Sequence, residues 1–137
     1  MPMSLTLKEA TSIIDAALAK AREEQMKPLG VSVLDAGGHM VAFCREDGAS
    51  FLRLGISEAK AYTALALQMP SRAYADMANE RPQFAGSLNG ISDGKMAASA
   101  GGLLIERGGE IIGAIGISGD LPDNDEIASK AGLASLG

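Results

Sequence analysis

Two short β-prone runs separated by Asp35-Ala36-Gly37-Gly38 constrain the fold of this chain more than any other feature. Val31 and Val33 precede the glycines, and Met40, Ala42 and Cys44 follow at alternate positions. The stretch from Val31 to Gly48 therefore predicts a β-hairpin, with glycine supplying the positive φ that a tight reversal needs. So short a connection forces its two strands to run antiparallel. The second strand delivers Arg45, Glu46 and Asp47 to one end of the sheet, where function is expected, and leaves His39 beside the turn at the other end.

Helices are predicted on either side of this hairpin. Thr6 followed by Glu9 is a capping box, and Ala10, Ile13, Ile14, Ala17, Leu18 and Ala21 then repeat with helical period over about Leu7 to Met26. Pro28 and Gly30 end that element. Ala49 to Met69 reads as a second helix with Ser50 as cap and Pro70 as stop, and Ser71 to Glu80 as a short third. From Arg81 to Gly102 the punctuation by Pro82, Gly86, Asn89-Gly90, Asp93-Gly94 and Gly101-Gly102 predicts an irregular binding loop.

Leu103 to Ile105 and Ile111 to Ile117 form a second hairpin around Gly108-Gly109. Gly113, Gly116 and Gly119 are costly inside or beside a strand unless another backbone, a bulge or a ligand comes close. A phosphate-cradling loop lacks the G-x-G-x-x-G spacing and the P-loop lysine. Asp120, Pro122 and Asp123 open a last helix, whose inner stripe is expected at Ile127, Ala131 and Ala134. The order α-β-β-α-loop-β-β-α indicates an α/β (α+β) fold: a central antiparallel sheet of two hairpins flanked by helices, with residues 1–137 as one domain.

Composition narrows the partners. A net charge of -5 disfavours nucleic acid and anionic membrane surfaces. The start, MPMSLTLKEA, lacks a signal-peptide pattern and no apolar run has membrane-spanning length, so the cytoplasm is expected. The single cysteine, Cys44, suits a reducing compartment and reads as a small core residue. One histidine and scattered carboxylates give no zinc spacing, and Asp120, Asp123, Asp125 and Glu126 are accounted for as helix-start acids, so no metal site is assigned. An aliphatic core with no Trp, at this length, favours a homo-oligomer.

The constellation with chemical potential lies on the second helix. On a helical wheel Arg53 and Lys60 fall together beside the stripe of Ile56, Thr63 and Leu67. Either they run their methylenes over the core edge into water, or they face a cavity and hold an anion such as a carboxylate. In the second case Arg45 and Asp47 form the polar rim. Tyr62, Arg72 and Tyr74 are further candidates that their spacing does not single out, and Ser92-Asp93-Gly94-Lys95 reads as a turn.

The segments VSVLDAGGHMVAF-REDGAS, ISEAKAYTALAL and GGLLI-GGEIIGAIGISGD-P-NDE-A-KAGLA resemble the GlcG/HbpS family, which includes the C-terminal domain of PduO. The resemblance runs from about Leu5 to the C-terminus and implies a profilin-like, usually oligomeric domain that binds a small molecule. RPQFAGSLNGISDGKM and the GISGD-x-x-DNDE ending are similar to family members in nitroaromatic pathways, which implies a cofactor-free, ammonia-releasing hydroxylaminobenzoate lyase. In that reading Arg45, Arg53 and Lys60 bind an anionic aromatic ligand, and Asp47, Glu58 or Tyr62 supplies protons. The alternative is a haem-binding or haem-sensing protein, with His39, Tyr62, Tyr74, Cys44 or a Met on the iron, or a non-catalytic accessory protein of a metabolic operon.

Overall fold

The structure, a computed structural model, describes residues 4–136. Five helices and four strands follow in the order α1 (Leu7–Glu23), β1 (Gly30–Asp35), β2 (Met40–Arg45), α2 (Leu52–Leu67), α3 (Arg72–Glu80), α4 (Pro82–Ile91), β3 (Gly102–Arg107), β4 (Glu110–Ser118) and α5 (Pro122–Ala134). The sheet is antiparallel throughout in the order β2-β1-β4-β3, so the two hairpins join along β1 and β4 from Gly30 opposite Ser118 to Asp35 opposite Gly113.

The capping box starts α1 as anticipated: the Thr6 hydroxyl accepts from Glu9 N at 3.1 Å while the Glu9 carboxylate accepts from Thr6 N at 3.0 Å. Gln25, at φ 55, turns the chain out of the helix earlier than Met26. Gly38 carries the positive φ of the first turn, and Gly108 and Gly109 both carry it in the second.

The two faces of the sheet carry side chains of different size. Val31, Val33, Leu103, Ile105, Ile115 and Ile117 join Ala10, Ile13, Ile14 and Ala17 of α1 and Ala128 of α5 in the main core. Strand alternation turns Ser32, Leu34, Gly102, Ala114 and Gly116 the other way, towards α2. Apart from Leu34 and Leu104 that face carries small side chains or none, so α2 sits directly on backbone at Gly102 and Gly116. A Cβ on Gly116 would lie 2.0 Å from the Ser57 carbonyl oxygen, one on Gly102 would lie 2.1 Å from the Lys60 carbonyl, and the Ser32 and Ser57 hydroxyls share a 2.6 Å hydrogen bond. Approaching backbone, rather than a ligand or bulge, thus explains Gly116, and Gly119 likewise meets the Pro28 carbonyl.

Four expectations are corrected. The stretch from Arg81 is not irregular throughout: Pro82–Ile91 is helical, begun by proline and held to α3 by the Tyr74 hydroxyl, which donates to the Ala85 carbonyl at 2.6 Å. Helix α5 buries Asp125, Ala128, Ser129 and Gly132 rather than the stripe at Ile127, Ala131 and Ala134, and Ile127 is exposed. Ser50 is not the residue flanking α2; Phe51 is, although the Ser50 hydroxyl accepts from Leu52 N at 3.1 Å. Cys44 is exposed on the outer strand β2 rather than part of the core.

Replacing Gly116 by Ala should lower stability by about 3 kcal/mol, since the added methyl meets backbone that cannot rotate away. Gly55→Ala, in α2 with open space around it, should instead raise stability by about 0.5–1 kcal/mol. Urea midpoints of the two variants check both signs.

Candidate functional site

A cleft of about 420 Å³ opens where the β1–β2 turn passes α2. Its walls are Gly37, Gly38 and His39 of the turn, Gly55, Glu58, Ala59 and Tyr62 of α2, and Gly94 and Lys95 from the segment after α4. The α2 members recur three, four and seven residues apart, which puts them on one helix face. The turn lies against the Tyr62 ring: a Cβ on Gly38 would sit 3.8 Å from its Cδ2. The Lys95 ammonium stands 5.8 Å from the ring centroid, a cation–π approach. Gly55 and Gly94 have nothing within 4 Å of where a Cβ would be, so both leave room in the cleft.

His39 stands at the mouth with its side chain 82% exposed. One Asp35 carboxylate oxygen accepts from Gly37 N at 2.9 Å and His39 N at 3.0 Å, and lies 3.4 Å from His39 Nδ1. The cleft is therefore at the turn end of the sheet, and His39, expected at the far end from any pocket, lines it. Among the described residues no group of three or more His, Cys, Asp and Glu side chains could hold a metal ion.

The residues singled out from sequence divide into three places. Glu58 and Tyr62 line the cleft. Arg45 and Asp47 border a separate, more open groove of about 470 Å³ with Leu18, Arg22, Pro28 and Cys44. There the Glu46 carboxylate accepts from Leu29 N at 2.9 Å and pairs with Arg22 at 3.1 Å. Arg53 and Lys60 line neither space. Arg53 donates to the Ser118 hydroxyl at 2.8 Å.

Lys60 points into the protein, its side chain only 3% exposed. Its Nζ donates to the Ile117 carbonyl at 2.8 Å and to Asp125 Oδ2 at 3.0 Å, while Asp125 Oδ1 accepts from Asp120 N at 3.0 Å. Burial lowers the Lys60 pKa and raises that of Asp125, each shift opposed by the charge of the other. The hollow expected between Arg53 and Lys60 is replaced by this internal pair. Asp125, read as one acid of a helix start, is its buried partner, a pairing across 65 residues that spacing cannot reveal. Tyr74 is also committed, to the Ala85 carbonyl, and Arg72 pairs with Asp123 and Glu126 of α5.

Fold and cleft together define a small α+β protein with a ligand-sized space between a sheet turn and the helix on the small-residue face. The chain belongs to the HbpS-like family, described as haem degrading protein HbpS-like, which matches residues 5–134. It is 31% identical over 130 residues to an uncharacterized 15.0 kDa protein of Citrobacter freundii encoded between dhaT and dhaS, covering 95% of this chain and 90% of that one. It is 27% identical to the corrinoid adenosyltransferase PduO of Salmonella typhimurium over 98% of this chain, but spans only 40% of PduO. The crystal structure of a PduOC:heme complex superposes with a TM-score of 0.87 at 26% identity, covering 97% of this chain and 95% of that one. No helix among the described residues is long and apolar enough to cross a membrane.

Lys60→Met or Asp125→Asn alone should cost about 3–5 kcal/mol, because either change strands a buried polar partner. The double variant Lys60→Met/Asp125→Leu should recover most of that loss. Equilibrium denaturation of the three variants measures the coupling.

Proposed function

We propose that this chain binds a small planar anionic ligand in the cleft beside Tyr62, that the ligand is haem, and that binding rather than catalysis is its role. The observation that carries the reading is the placement of an imidazole, His39, and a phenol, Tyr62, on the two elements that wall one cleft. Both are protein ligands for haem iron. Lys95 supplies a cation for a propionate, the side of Tyr62 offers an aromatic wall, and the side-chain-free positions at Gly55 and Gly94 admit a flat ring. The volume lies within the range of small-molecule sites. The residues present fit the group, which when bound would supply an iron centre able to take a further ligand or change oxidation state.

The haem-containing PduOC structure supports this assignment by likeness of fold. The lyase reading has less support. Its clamp would be Arg53 and Lys60, which instead bind Ser118 and Asp125, and its proton donors are divided between the cleft, with Glu58 and Tyr62, and the distant corner, with Asp47. Self-association is part of the proposal: Phe51, Leu52 and Leu54, three large apolar side chains at the start of α2, are 78%, 59% and 43% exposed, and clustered exposed apolar residues mark interaction sites. We place the protein in the cytoplasm, where an exposed single thiol stays reduced.

Titrating haem into the purified protein should give a Soret band displaced from that of free haem and saturating at one per chain. His39→Ala should weaken binding by at least about tenfold. A spectrum indistinguishable from free haem at every ratio removes the proposal.

A further inference from the structure

Neither the family resemblance nor the cleft itself explains why the sole histidine is bracketed by its own turn. A Cβ added to Gly37 would lie 3.0 Å from His39 Nδ1 and 3.1 Å from Cε1, so the imidazole occupies the space a side chain at Gly37 would need. On its Nδ1 side the ring meets Asp35 Oδ1 at 3.4 Å, the same oxygen that accepts from the Gly37 and His39 amides. One carboxylate thus holds the turn and lies beside the ring that the turn carries. The pair is exposed, His39 at 82% and Asp35 at 43% of the side chain, so its Coulomb energy contributes little to stability.

We propose that Asp35 is a positioning residue: it accepts a hydrogen bond from His39 Nδ1–H, favouring the tautomer in which Nε2 keeps its lone pair for a metal centre held in the cleft. The inference rests on the haem reading of the cleft. A neutral imidazole has one protonated and one free nitrogen, and the hydrogen bond made by the first decides which is which. A carboxylate behind the ring also increases the electron donation of the free nitrogen. Gly37 complements it, since its missing side chain is what lets the ring lie against the turn.

Because His39 is the only histidine of the chain, its ring nitrogens can be observed without assignment in uniformly 15N-labelled, ligand-free protein at a pH where the ring is neutral. Wild type should show predominantly the Nδ1–H form. Asp35→Asn keeps an oxygen for the Gly37 and His39 amides but loses the charge, so the Nε2–H share should rise and haem affinity should fall by about tenfold. Gly37→Ala should displace the ring and reduce haem affinity without any change of charge. An unchanged tautomer ratio in Asp35→Asn overturns the proposal and leaves the haem reading standing. If haem binds His39→Ala as it binds wild type, the cleft reading fails and the metal role of Asp35 with it, even where the tautomer shift is seen.

Discussion

A single buried ammonium ties three elements of this architecture together at one point. The Lys60 side chain starts on α2, ends on the Ile117 carbonyl of β4 and is neutralised by Asp125 of α5. Three elements are thereby joined by one group. Taking two charges out of water is expensive, and the expense is met here by near-complete hydrogen bonding: the carboxylate also receives the Asp120 amide, and no buried side-chain nitrogen or oxygen among the described residues lacks a partner. The neighbouring backbone is cut to fit, for a Cβ on Gly101 would come within 3.0 Å of Lys60 Cδ and Nζ.

With its inner side fixed in this way, α2 is free to present a different set of residues outward. Ser57, Lys60, Ala61 and Ala64 go to the sheet, and Gly55, Glu58, Ala59 and Tyr62 go to the cleft. The same helix therefore serves as a structural strut and as one wall of the site. The other wall, the β1–β2 turn, belongs to a strand paired in the middle of the sheet. The geometry of these two walls follows from the packing of the domain, and Gly94 and Lys95 complete the cleft from the segment after α4.

Local signals in the sequence were read correctly where the determining contacts are themselves local. The capping box of Thr6 and Glu9, the glycine-bearing turns and the antiparallel hairpins all rest on residues within a few positions of one another. Misreadings arose where the determining partner is remote. Helix α4 has Phe84, Leu88 and Ile91 at helical spacing, but Gly86, Asn89 and Gly90 mask it, and the stripe faces outward, with Phe84 and Ile91 exposed. In α5 the small and polar residues face the interior because Asp125 must reach Lys60, which inverts the usual rule that the apolar stripe turns inward. Cys44 follows strand alternation, yet β2 is an edge strand with little above it. As for the cleft, Glu58 and Tyr62 stand out in the sequence as chemistry-bearing, whereas Asp35, four residues before His39, has the local pattern of a turn residue.

The unequal faces of the sheet imply unequal latitude for sequence change. Where Val31, Ile115 and Ile117 meet α1 and α5, aliphatic side chains touch other aliphatic side chains, and one branched residue can be exchanged for another as neighbours adjust their rotamers. Beneath α2 the nearest neighbours of Gly102 and Gly116 are the Lys60 and Ser57 carbonyl oxygens, which have no rotamers to adjust. Divergence among proteins of this shape should therefore accumulate on the first face and be nearly forbidden on the second, so that Gly102 and Gly116 change far more slowly than the aliphatic residues that alternate with them.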